Sequence, residues 1–469
     1  MTASDHRIPG PTPQTDNKEL SREPQPADLL ILGGTVLTID ARHTVHEDGA
    51  VAIGGDQILA VGPRVEIEQA YRGRRVLRGE GHLVLPGLVN AHTHVPMTLF
   101  RGVSDDQELM AWLEGYIFPL ESRFVTAEFV YWAALLACWE MIASGTTTFA
   151  DGYFFEDNVA RAVEQAGLRA VLGQGVLDLP TPDAPNSSAA LARAEALLLE
   201  WRGHPRISPA VAPHSCFTVG PDTFRRVQSL AAKYDARVMV HAAESQMELN
   251  AVRQRYQATP VRHLASLGLL EKNWVAAHCV WVDEEEISLL AETEVGVVHC
   301  AESNMKLASG VAPVPQMLAA GVRVGLGTDG PASNNDLDMF GEMATVAKLH
   351  KVHTLDPTQL PARTVLRMAT VGGAAALHLE NQIGSLEPGK KADVILVDTS
   401  GPNAIPYYNP DSHLAYAARA DAVQTVVVGG KVLMENRQLC TLDTEEIRAQ
   451  CLKLHRAIVE ASSAKSALA

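Results

Sequence analysis

The sequence predicts an α/β protein: a (β/α)8 barrel with a small β-sandwich domain built from N- and C-terminal segments. Three observations carry this. Eight short apolar runs alternate with helix-like stretches between residues 81 and 384. Glycine-punctuated, β-branched runs lie on both sides of that middle, in 28–80 and 385–440. Most of the eight runs end in an imidazole or a carboxylate, as barrel enzymes place their chemistry at the C-terminal ends of parallel strands.

The elements follow in chain order. Residues 1–27 are polar, contain several prolines and carry Asp5, Asp16, Glu19 and Glu23; with no apolar core they read as a disordered tail, not a signal peptide. "ADLLILGGTVLTID" and "GAVAIGGDQILAVG" then read as strands and turns. The eight middle runs are "LVLPGLVNAHTH", "GTTTFAD", "RAVLGQGV", "ISPAVAPH", "RVMVHAAE", "WVAAHC", "VGVVHC" and "RVGLGTDG". Amphipathic stretches such as 126–144 and 221–234 lie between them, the pattern of parallel βαβ units. "KADVILVDTS" and "AVQTVVVGGKVLMENR" return the chain to the sandwich, and 441–469 reads as a C-terminal helix.

Composition narrows the function. The 469 residues are 46% hydrophobic and 20% charged, an ordinary enzyme composition. A net charge of −16 argues against a nucleic-acid partner, which demands a basic face. Six scattered cysteines without a CxxC pair suit a reducing cytoplasm. No apolar run approaches the roughly 20 residues of a membrane span, so a soluble protein without a membrane partner is expected.

The polar run ends are the informative positions. His92 and His94 close the first run, His214 the fourth, His241 the fifth with Glu244 just behind, His278 the sixth, His299 the seventh and Asp329 the eighth. Buried imidazoles and carboxylates need partners, and a metal ion would supply one. Residues i and i+2 on a strand face the same side, so His92 and His94 can both reach the barrel mouth. His241 and Asp329 complete three imidazoles and a carboxylate, a set that suits one Zn2+ per subunit, or Fe2+ or Mn2+. Such an ion lowers the pKa of bound water toward 7. Taken singly, each piece has a plain alternative: HxH a polar loop, Glu244 a helix N-terminal acid, Asp329 a turn residue. His299 reads as structural, because the donor set is complete without it. Trp112 and Met110 in "ELMAWLEGYIF" either line a substrate pocket or belong to a packed helix, and the 98–123 excursion lies where a lid would.

The strings "PGLVNAHTH", "HAAES", "AHCV", "SNMKLASGVAPV" and "GTDGPASNNDLDMF" resemble the amidohydrolase superfamily, and within it the 5′-methylthioadenosine/S-adenosylhomocysteine deaminase branch. The resemblance runs from residue 28 to about 440. It implies that His92, His94, His241 and Asp329 bind the metal, that Glu244 shuttles protons and that His278 orients water. It places His214 and Glu121 against a nucleoside ribose, where a carboxylate can accept from two vicinal hydroxyls; a surface pair of Glu121 with Arg123 is the other reading. The implied reaction is hydrolytic deamination at C6 of an adenine nucleoside: hydroxide held by Asp329 and His278 attacks the ring carbon, Glu244 protonates the adjacent nitrogen, and ammonia leaves. The branch carries an arginine near the end of the third strand, where this chain has Gln174 in "VLGQGVLDLP". That departure points to methylthioadenosine or plain adenosine-type nucleosides over S-adenosylhomocysteine, with Gln174 as a substrate contact; an arginine supplied by a loop or a neighbouring subunit is the other reading. The family implies a homo-oligomer. Two further readings stand: an aminohydrolase or chlorohydrolase acting on another heterocycle, and a non-catalytic scaffold barrel, which would have lost its donor set.

Overall fold

The computed structural model describes residues 23–107 and 109–466, without the side chains of 109–110 and 461–466. The predicted strands form an eight-stranded parallel sheet in sequential order: β1 (Leu88–Thr93), β2 (Thr146–Tyr153), β3 (Arg169–Val176), β4 (Ile207–Pro213), β5 (Arg237–Ala242), β6 (Trp274–His278), β7 (Gly296–His299) and β8 (Arg323–Leu326). The sheet's two ends meet where the Asp329 amide donates to the His92 carbonyl (3.0 Å), so the barrel is nearly closed. Gly327 makes that approach possible: a Cβ there would lie 2.7 Å from the His92 nitrogen.

Small residues face inward because the interior is narrow. Val89, Ala91, Ala150, Val171, Ala210 and Met239 share one inner cluster with Ala374 and Leu377 from the segment after β8. A second, larger cluster seals the helices onto the barrel's outside. The helices begin on recognisable caps: Thr126 accepts from the Phe129 amide ahead of Ala127–Ala143, and Asp283 and Glu286 form a capping box at Glu284–Glu292.

Two further sheets make the sandwich. One joins Gln57–Pro63, Gly49–Gly54, Gln25–Leu32 and Tyr71–Arg78; the other mixes Thr35–Leu37, Val45–His46 and His82–Pro86 with Val394–Asp398, Val423–Val428, Lys431–Glu435 and Gln438–Leu439. Leu29, Ile31 and Val51 of the first sheet meet Val84, Val394 and Val427 of the second in one apolar layer. Two expected boundaries shift. The first apolar run is two strands broken at Gly87: His82–Pro86 pairs with Val394–Asp398 in the sandwich, and only Leu88–Thr93 enters the barrel. Residues 25–27 of the expected tail already belong to a strand, because Gln25–Leu32 pairs in register with Tyr71–Arg78; residues 1–22 lie outside the described residues. The C-terminal helix spans Thr444–Ser466. Buried Arg169, at the start of β3, grips Asp393 of the return segment through Nε and Nη2 (2.9 and 3.2 Å), which ties barrel to sandwich. Among the described residues no single helix is long and apolar enough to cross a membrane.

Candidate metal centre and adjoining clefts

At the C-terminal mouth of the barrel, the donor atoms of His92, His241, His278 and Asp329 all lie within 4.8 Å of one another. His94 belongs with them: its Nε2 is 3.2 Å from His241 Nε2 and 3.3 Å from Asp329 Oδ1. Four imidazoles and one carboxylate therefore crowd a single point. Donors about 2.1 Å from one tetrahedral ion stand roughly 3.4 Å apart, close to the separations found here.

The surrounding contacts decide which ring nitrogens face that point. His94 Nδ1 donates to the Gly152 carbonyl (2.7 Å), and His241 Nδ1 to the His214 carbonyl (2.7 Å). His278 Nδ1 lies 2.9 Å from Asn304 Oδ1. Carbonyl oxygens only accept, so these contacts keep the proton on Nδ1 and leave the Nε2 lone pairs aimed inward. The buried Nε2 of His92 has no hydrogen-bond partner, although Asp329 Oδ1 is 3.4 Å away. Asp329 turns Oδ1 to the imidazoles, while Oδ2 accepts from Ser303 Oγ (2.7 Å) and Ser333 Oγ (2.8 Å). An orphaned buried nitrogen beside three inward lone pairs and an oriented carboxylate fits a divalent metal ion. The chain bends sharply here: Ala243, His278 and Asp329 all have positive φ (53°, 71° and 62°), conformations that non-glycine residues hold only where their surroundings fix them.

Electrostatics follow from burial. Burial drives His92 down to about 4, and burial plus neighbouring imidazoles drives His241 well below the usual histidine range. Burial opposes charge on His94 too, yet its contact with Asp329 lifts it to about 9. Asp329, which burial alone would raise, is held well below the carboxylate range by His92 and His94. The centre thus favours positive charge beside Asp329.

Two clefts open from the centre. One, about 650 Å³, is lined by Glu244, His278, Asp329, Ser333, Trp112 and Phe217, among others. Glu244 forms its wall, and burial raises its carboxyl above the usual carboxylate range, which favours its protonated form. The other, about 700 Å³, is mostly apolar, with Leu113, Phe118, Phe154 and Leu177 around Glu121 and Tyr153. His214 lines both clefts; its Nδ1 is 3.0 Å from Thr218 Oγ1, and burial lowers its pKa to about 4. Buried Glu121 is raised to about 7 by burial, against the pull of Tyr153 and His94. Its carboxylate accepts from the Tyr153 hydroxyl (2.5 Å) and makes no ion pair with Arg123, which lies over the Phe124 ring.

The structure thus gathers His92, His94, His214, His241, Glu244, His278, Asp329, Trp112 and Glu121 around the mouth. Gln174 is a correction. It is 1% exposed and donates to Asp183 Oδ2 (3.0 Å) and to the Gly175 carbonyl (3.2 Å), away from both clefts. Gly175, its neighbour in the alternating strand, is the residue that lines the apolar cleft. The Met110 side chain lies outside the described residues. His299 lines neither cleft and pairs instead with His350 (Nε2 to Nε2, 3.2 Å) in the core. Sequence reasoning missed Tyr153, Ser303, Ser333 and Asn304, and the Gly152 and His214 carbonyls.

Fold and centre together define a barrel hydrolase organised around a metal-donor cluster. The chain belongs to the amidohydrolase family, whose model matches residues 83–433. It is 49% identical over 432 residues to a 5-methylthioadenosine/S-adenosylhomocysteine deaminase of Syntrophobacter fumaroxidans, covering 92% of this chain and 98% of that protein. The corresponding deaminase of Moorella thermoacetica is 48% identical, with 91% and 98% covered. Among solved structures, an adenosine deaminase from Xanthomonas campestris with bound zinc superposes with a TM-score of 0.92 at 42% identity, covering 93% of this chain and all (100%) of that one. A zinc-complexed atrazine chlorohydrolase of Arthrobacter aurescens reaches 0.85 at 27% identity, with 91% and 100% covered.

Proposed function

We propose that this protein hydrolytically deaminates an adenine nucleoside, of the 5′-methylthioadenosine, S-adenosylhomocysteine or adenosine type, to the inosine analogue and ammonia. The observation that carries the reading is the juxtaposition of the donor cluster, a proton-holding carboxyl and a second buried carboxylate in the adjoining apolar cleft. Relatives named for this activity at nearly half identity support it.

His92, His94, His241 and Asp329 would hold the ion, with zinc favoured by the zinc-bound neighbour. The bound ion supplies Lewis acidity and lowers the pKa of water. His278, its Nδ1 engaged by Asn304, presents Nε2 to orient that water toward C6. Asp329 receives the water's proton. Glu244 delivers a proton to the adjacent ring nitrogen, so charge is neutralised as the tetrahedral carbon forms. Asp329 would then pass the proton taken from water to the amino group while Glu244 takes back the proton of the new hydroxyl, so the C–N bond breaks, ammonia leaves and the C6 carbonyl forms. Trp112 covers the base, while Glu121 and His214 hold the ribose. The apolar walls of Leu113, Phe118, Phe154 and Leu177 leave the 5′ substituent against hydrocarbon. A cytoplasmic homo-oligomer completes the proposal; the free state of all six cysteines fits a reducing compartment.

Ammonia release by zinc-replete protein tests this across methylthioadenosine, S-adenosylhomocysteine, adenosine, adenine, guanine, cytosine and a triazine. Turnover of the adenine nucleosides is the expected result. Turnover confined to a free base or to the triazine would overturn it in favour of another heterocycle, the reading that the likeness to the chlorohydrolase supports.

A further inference from the structure

Glu121 does not belong to the barrel wall. It sits on Phe118–Phe124, a short helix in the excursion between β1 and Ala127–Ala143. A carboxylate that is to meet two ribose hydroxyls must be held in place, because a freely rotating acid loses that hydrogen-bonding geometry and pays rotamer entropy on binding. Among the described residues its side chain has one hydrogen-bond partner, Tyr153.

Tyr153 is well placed to hold it. It ends β2, and its backbone is registered against Gln174 of β3. Its ring packs against Phe154 (centroids 4.8 Å apart) and stands 6.3 Å from the His94 ring. The phenol is 4% exposed and lines the same cleft as Glu121. A hydroxyl has a single proton, and here it goes to Glu121 Oε1, which leaves the carboxylate's other lone pairs for ligand hydroxyls. The preceding residues serve the other half of the centre: the Gly152 carbonyl fixes the His94 tautomer, and Asp151 Oδ1 accepts from the Val95 amide (2.6 Å).

We infer that Tyr153 is a positioning residue that holds Glu121 against the ribose hydroxyls, so selectivity for nucleosides over bare bases is anchored on the rigid end of β2. This rests on the nucleoside reading above. The end of one strand then sets both the orientation of a metal-facing imidazole and that of the sugar-facing acid.

The test compares wild type, Tyr153→Phe, Glu121→Ala and the double variant on adenosine and on 2′,3′-dideoxyadenosine. Tyr153→Phe should lose roughly tenfold in kcat/KM on adenosine, chiefly through KM, the size of one hydrogen bond to a charged group. On the dideoxy analogue it should change less than about twofold, since no hydroxyl is there to meet Glu121. In the Glu121→Ala background Tyr153→Phe should add nothing further on adenosine. Equal losses on both substrates, or a full additional loss in the double variant, would overturn the inference while leaving the deaminase reading intact. Wild-type silence on both nucleosides would instead overturn the deaminase reading, and the inference with it. If Tyr153→Phe is recovered unfolded, the Glu121→Ala comparison decides: an equal loss on both substrates refutes the hydroxyl contact itself.

Discussion

Replacing Ser303 and Ser333 by alanine probes whether the orientation of Asp329 is built in. Both hydroxyls donate to Asp329 Oδ2, at 2.7 and 2.8 Å, and each has only one proton to give. Asp329 is 6% exposed, so water cannot readily take over either bond. A hydrogen bond to a buried charge contributes about 1.5–3 kcal/mol. Part of that loss returns as the carboxylate relaxes toward the imidazoles, leaving about 1.4 kcal/mol, or tenfold in metal affinity, for either single change. The hydroxyls also contact each other (3.1 Å), so the two losses are coupled. The double variant should therefore weaken metal binding by about 100-fold or less, within the range known for groups that orient metal ligands. Titration of zinc against a chromophoric chelator of known affinity gives the value, and a thermal melt shows whether the fold survives. Wild-type affinity in a folded double variant would refute the argument, because Asp329 would then need no hydroxyl support.

Four further outcomes follow from the same geometry. Glu244→Gln should keep its metal but lose about 10²–10⁴ in turnover, the contribution of positioned proton transfer; wild-type turnover in metal-replete protein would remove Glu244 from the mechanism. His241→Ala should lose the ion on dialysis, as metal analysis reports, and a full complement would sink its assignment as a ligand. Asp393→Ala leaves the buried Arg169 guanidinium without its carboxylate and with only the Pro205 carbonyl (3.0 Å) as acceptor, and should destabilise the fold by about 3–5 kcal/mol in thermal or urea unfolding. Buried Glu248 is raised to about 8 by burial and by nearby Glu244, so its neutral form favours the fold; that contribution is complete below about pH 4.5 and is lost as pH rises through 8. Glu248→Gln should accordingly flatten the fall in stability between pH 5 and 8, and an unchanged pH profile of melting temperature would contradict this.

The barrel and the donor cluster were legible for one physical reason. Imidazoles and carboxylates at the ends of apolar runs are costly to bury without partners, so His92, His94, His241, His278 and Asp329 stood out against Val, Ala and Gly neighbours. The groups that orient them do not stand out. Gly152 and His214 act through backbone carbonyls, which any residue possesses; a tyrosine at a strand end looks like an ordinary core aromatic, and serines beside a turn look like turn residues. Local sequence also could not say that Gly87 would divide one apolar run between two sheets, because Val84 and Val89 are equally buried in different cores.

Gln174 teaches the opposite lesson, because its orientation was within reach. In "GQG" the side that faces the barrel mouth is limited by what lies opposite: a Cβ on Gly173 would stand 2.5 Å from the Met239 terminal carbon, and one on Gly175 2.9 Å from the Tyr153 carbonyl. Glycines at alternate positions mark the crowded inward face of a narrow barrel, and the residue between them must point outward. Gln174 therefore serves Asp183, which Arg193 and the Phe155 amide also bind, and the network braces the loops outside the cleft. Among the described residues that line the two clefts there is no arginine or lysine. A substrate's 5′ substituent would meet hydrocarbon from Leu113 and Phe118 of the excursion after β1 and from the strand ends, whichever residue occupies position 174.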